Sequence, residues 1–209
     1  MIIFVTYLGP LYLQLVSCLL CNFISAYYHN NNCRSQDILY FLRKFDLAGV
    51  CLVIIGNSTV TLYYSLMCEE HIFYQRLWIG IVWVSNIIAL GICLHPNQKD
   101  FKNTWVLAAS FISAGFSVLP GILYIVFFVD SSHLRSFPLA CYTLTSSIVV
   151  VGAIISVVKW PERKYKVILD VVGNSHNIFH TCVVVAGLTS FYGSLRLYHE
   201  RQLYSCPVV

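Results

Sequence analysis

The chain has 209 residues, of which 58% are hydrophobic and 11% charged, with a formal net charge of +4. A soluble domain carries roughly 25% charged residues, and a chain of this size could not hide so much apolar surface from water. The small positive excess is scattered along the sequence, which excludes nucleic acid as a partner.

Charged residues fall in short clusters between long uncharged stretches, and these stretches predict six transmembrane helices at about 4–28, 47–67, 77–94, 105–129, 137–158 and 171–195. Each reaches or approaches the roughly 20 residues that a helix needs to cross the hydrocarbon core. Helix or closed barrel is the choice in lipid, and the alternating segments of a barrel are absent. The fold class expected is therefore all-α, a multi-pass helical bundle forming one membrane-embedded domain over 1–209. The first stretch lacks the basic start of a signal peptide and its apolar run is too long for one. Pro120-Gly121 in the fourth span predicts a kink.

Lys and Arg in alternate loops set the orientation. Arg34, Arg43, Lys44, Lys99, Lys102, Lys159, Arg163, Lys164 and Lys166 make nine on one side, against Arg76, Arg135, Arg196 and Arg201 on the other. The positive-inside rule places the nine in the cytosol and both termini opposite.

Polar residues then sort by depth. His29 ends the first span with Ser25 one turn earlier on the same face. Asp46 opens the second span, and His176 and His180 share one face near the start of the last. All five fall at the cytosolic leaflet, and ionisable groups inside membranes usually pair or bind something. Three imidazoles suit a zinc ion with an open fourth position, leaving Asp46 and Ser25 as neighbouring groups that orient water. The competing reading is that these histidines cap helices or hydrogen-bond across the bundle, since HxxxH alone is a weak signal.

The stretch Ser25-Ala-Tyr-Tyr-His29, then Cys33, Phe45-Asp46-Leu-Ala-Gly49, Tyr63-Tyr64 and Cys68, resembles the progestin and adipoQ receptor family, relatives of bacterial hemolysin III. Pro161-Glu162-Arg163, Asp170 and Ser175-His176-Asn-Ile-Phe-His180 look like that family's last block. The resemblance covers roughly 20 to 195. It implies that His29, His176 and His180 are zinc ligands, with Ser25 and Asp46 beside the metal as tentative catalytic groups. His95-Pro96-Asn97 and Ser205-Cys206-Pro207 look most like a Golgi-resident branch that holds Raf kinase at the membrane. The sequence departs from the family pattern in three places. The first span matches the family's second helix, so seven helices become six and a first helix is expected to be missing. Tyr165-Lys166 stands where Pro-Gly is usual, and Asn177 where Gln is usual.

Three functions follow from the resemblance. One is a receptor-like membrane protein that signals through a zinc-bearing bundle in response to a lipid or hormone-like ligand. The second is a zinc-dependent hydrolase of a lipid amide such as ceramide. The third is a Golgi scaffold that tethers a cytosolic kinase and dampens MAP kinase signalling, docking it on the basic loops 34–44 and 159–166. The location expected is the Golgi or the plasma membrane.

The remaining signals have plainer readings. Cys18 and Cys21 form a C-x-x-C inside an apolar helix, where packing is the expected role. Cys68 and Cys206 fall on one side of the membrane, which leaves a disulfide open to them. Asn57-Ser-Thr59 is a glycosylation sequon within a span. His71, His95, His133 and His199 are expected in loops or the tail without clustered partners. Trp78, Trp105 and Trp160 are expected to anchor span ends at the interface.

Overall fold

The computed structural model describes residues 2–31, 33–95, 104–129, 132–164, 173–203 and 206. Among them are seven α-helices and no strand: α1 (Ile2–Asn31), α2 (Gln36–Ser65), α3 (Ile72–Leu94), α4 (Thr104–Phe116), α5 (Leu119–Phe128), α6 (Ser132–Val158) and α7 (Ser175–Leu203). A 3₁₀ turn, Glu69–His71, leads into α3. The expected all-α bundle is therefore observed. Among the described residues, five stretches are long and apolar enough to cross a membrane: Leu8–Asn31, Glu69–Leu94, Ala109–Phe128, Leu139–Ser156 and Asn177–Leu203.

α2, the second expected span, is not among those five, and its position explains its polarity. It packs against α1, α3, α4, α5, α6 and α7. Cys51, Val60, Leu62 and Tyr64 are fully enclosed along it. A helix surrounded by protein can carry Asn57, Ser58 and Thr59, because their partners come from neighbouring helices rather than from lipid. Its 30 residues extend roughly 45 Å.

Several helices overrun the uncharged stretches. α2 starts at Gln36, not near 47, because the Ser35 side chain caps it by accepting from the Ile38 N–H at 3.2 Å. Asp37, Arg43, Lys44 and Asp46 thus ride on helix. α7 runs on to Leu203 and carries Arg196, His199, Glu200 and Arg201. Charge marks the edge of the hydrocarbon slab, which is not where a helix must stop.

The fourth span is broken rather than kinked. α4 ends at Phe116, the Ser117 hydroxyl donates to the Ala114 carbonyl at 2.6 Å, and α5 restarts with Pro120 in its first turn. A proline is tolerated there because the first N–H groups of a helix have no partner to lose. Gly121 lets α5 lie against Leu62 and Trp78, where a Cβ would stand 2.6 Å from the Leu62 side chain. Trp78 is thus packed against the core, unlike the exposed Trp160.

Small residues set the other close approaches. A Cβ on Gly56 would meet the Ser17 Oγ at 2.1 Å, and one on Gly49 would meet the Cys21 Sγ at 3.1 Å. This is the packing expected of membrane helices. Cys18 and Cys21 are both free thiols, with Cys21 wedged against α2.

Candidate metal centre

With α4 and α5 making one broken span, six spans alternate in direction, which brings the end of α1 and the start of α7 to one end of the bundle. His29 and His180, 151 residues apart in sequence, meet there with their Nε2 atoms 3.1 Å apart. Their rings are edge-on, with centroids 4.9 Å apart and planes at 82°. An open cavity of about 210 Å³ lies beside them, lined by Asn22, Ser25, Ala26, His29 and His180. Ser25 is buried, and its Oγ has no hydrogen-bond partner among the described residues. In apolar surroundings such a hydroxyl calls for a water or a ligand.

The arrangement fits a metal as well as it fits a hydrogen bond. Two imidazole nitrogens on one tetrahedral zinc, each about 2.0–2.1 Å from it, lie roughly 3.3 Å from one another. The observed 3.1 Å is close to that. A direct bond requires one ring to donate and the other to accept. Among the described residues no group of three or more His, Cys, Asp and Glu side chains converges as a metal cage. His176 stands on α7 one turn before His180, but its side chain lies outside the described residues.

Ser25, His29 and His180 are therefore brought together, and Asp46 is placed one helix away. Asp46 sits in the third turn of α2, and its charge reaches Cys21 and Tyr28 of α1. It is not among the residues that line the cavity.

A second polar cluster lies deeper, where α1, α2 and α7 meet, and reading the sequence alone missed it. Gln14 is fully enclosed, and its Nε2 donates to Asn57 Oδ1 at 3.0 Å and to Ser190 Oγ at 3.1 Å. The Cys18 thiol points at the same Asn57 oxygen, at 4.0 Å. The sequon asparagine is thus spent on helix pairing. The available signal was a lone glutamine in an apolar stretch.

The opposite end of the bundle is closed by covalent and charged contacts. Cys68 and Cys206 are joined in a disulfide. Arg201 is buried and donates to the carbonyls of Tyr64 and Ser65, at 2.5 and 2.6 Å, with its Nη1 3.3 Å from Cys68 Sγ. It caps the end of α2, where unpaired carbonyls favour a cation. His71, expected to lack partners, is instead buried between Tyr124 Oη at 3.2 Å and Glu70 Oε1 at 3.1 Å. The 3₁₀ turn after the disulfide folds it inward.

These features define a multi-pass, all-α membrane protein with two histidines meeting beside a cavity at one end and a buried arginine and a disulfide at the other. A family model described as Haemolysin-III related matches residues 8–191, and the chain belongs to that family. It is 30% identical over 196 residues to progestin and adipoQ receptor-like protein 1 of Caenorhabditis elegans, covering 90% of this chain and 43% of that protein. It is 28% identical over 190 residues to heptahelical transmembrane protein 5 of Arabidopsis thaliana, covering 89% and 49%. The adiponectin receptor protein of Drosophila melanogaster is 26% identical over 195 residues, covering 92% and 44%. The chain spans about half the length of the curated relatives it matches.

Proposed function

We propose that this chain is a receptor-like signalling protein of the Golgi or plasma membrane, with zinc held by His29, His176 and His180 at its cytosolic end. The observation that supports this most is the approach of two imidazoles to 3.1 Å across α1 and α7, beside a buried hydroxyl with no hydrogen-bond partner among the described residues. Relatives that carry receptor names lend the signalling role its support. Purified protein should carry about one zinc, as a three-histidine site implies. His29→Ala, His176→Ala and His180→Ala should each lose most of it, whereas His133→Ala should keep it. Equal zinc in all four variants, measured by elemental analysis, contradicts the proposal.

The open cavity and the unpartnered Ser25 favour a second reading, hydrolysis of a lipid amide such as ceramide. Bound zinc would supply an acidified water. Ser25 would orient that water, Asp46 would hold and relay its proton, and the cavity would admit the lipid head group from the cytosolic leaflet. Purified protein given a long-chain ceramide should release fatty acid, and Asp46→Asn should abolish release while retaining zinc. Release that persists in Asp46→Asn removes Asp46 from this reading.

A further inference from the structure

Ser175 precedes His176 and opens α7, yet it is only 3% exposed. The first N–H groups of a helix find no partner within it, and here two of them find side chains. Asn174 Oδ1 accepts from the Asn177 N–H at 2.9 Å. Glu162 Oε2 accepts from the Ser175 N–H at 2.7 Å, and Glu162 Oε1 accepts from the Ser175 hydroxyl. This carboxylate comes from the α6–α7 loop, 13 residues upstream. It lies where the positive end of a helix favours an anion, and charge strengthens both bonds. Partial burial pushes the Glu162 carboxyl up, but the bonds from Ser175 and the charge of Lys159 outweigh it, holding the group below its ordinary range.

We infer that Glu162 is a positioning residue for the histidine site: its two-pronged hold on Ser175 fixes the first turn of α7, and with it the approach of His180 to His29. This rests on the metal reading above. Just ahead of α7, Gly173 sits at φ 84, a region open to glycine. Two side chains hold that first turn, Glu162 on Ser175 and Asn174 on the Asn177 N–H. The rest of α7 is held independently, by packing on α6 and by Arg201 and the disulfide at the far end. Loss of Glu162 should thus loosen the turn that carries His176 without unfolding the bundle.

The test compares purified wild type with Glu162→Ala and Glu162→Gln. Three readouts are needed: zinc affinity by chelator competition, amide hydrogen exchange along α7, and thermal unfolding. Glu162→Ala should weaken zinc about tenfold, as loss of a group that orients metal ligands does. Exchange should quicken over 175–180 and stay unchanged over 190–203, with the unfolding temperature nearly unmoved. Glu162→Gln keeps an acceptor for the Ser175 N–H and offers an NH₂ to the Ser175 hydroxyl, so it should restore both affinity and protection. Wild-type affinity or wild-type exchange in Glu162→Ala overturns the inference, as does failure of Glu162→Gln to restore them. If zinc binds wild type and is lost in His180→Ala but is unchanged in Glu162→Ala, this inference alone fails. If wild type holds no zinc, the metal reading and this inference fall together.

Discussion

The two ends of the bundle are built differently. At one end, α2 and α7 are tied by the Cys68–Cys206 disulfide and by Arg201 on two α2 carbonyls. Gln75 donates to the Tyr63 carbonyl at 2.8 Å, and His71 sits between Glu70 and Tyr124. At the other end, two imidazoles face one another, the Ser25 hydroxyl has no hydrogen-bond partner among the described residues, and a cavity stands open. One end spends its polar groups on holding helices together. The other sets them around an open cavity, as functional sites do at some cost in stability.

Substitutions should break this asymmetry in a graded way. Cys68→Ser removes a crosslink spanning 138 residues, and its loss should destabilise by about 3 kcal/mol. Arg201→Ala strands two helix-end carbonyls and should destabilise by about 2 kcal/mol. The double variant should lose less than the sum, since Arg201 touches Cys68 Sγ. Thermal unfolding in detergent measures all three, and zinc content should not follow the loss. A zinc site that falls in step with the far-end clamp would show that the two ends are not separable.

Ser25→Ala gives the smallest effect and the opposite sign. Removing a buried hydroxyl that has no partner among the described residues should leave stability unchanged or raise it by up to about 1 kcal/mol. A loss as large as that of Arg201→Ala would mean that Ser25 has a structural partner, and the contrast between the ends would fail.

The sequence carried the helical bundle through the spacing of its charges, because desolvating a charge in hydrocarbon is too costly to tolerate often. It also carried the meeting of His29 and His180, because alternating spans bring the end of the first and the start of the last to one leaflet. What it could not carry depends on how helices rotate against one another. Nothing in the sequence says that Gln14, Asn57 and Ser190 face a common point, or that Glu162 reaches Ser175. Arg201 entered the reading as a topology charge, and only its burial against α2 reveals a helix cap. α2 begins at Gln36, ahead of the expected span, because the Ser35 side chain caps it there.

The most direct test of the histidine end is zinc K-edge X-ray absorption on the purified, unmodified chain. A zinc shared by His29, His176 and His180 should show nitrogen neighbours at about 2.0–2.1 Å with the outer scattering of imidazole rings. That pattern should vanish in His29→Ala together with the bound metal. A sulfur shell at about 2.3 Å would place the ion on cysteines instead. That result, or an unchanged spectrum in His29→Ala, would contradict the histidine site.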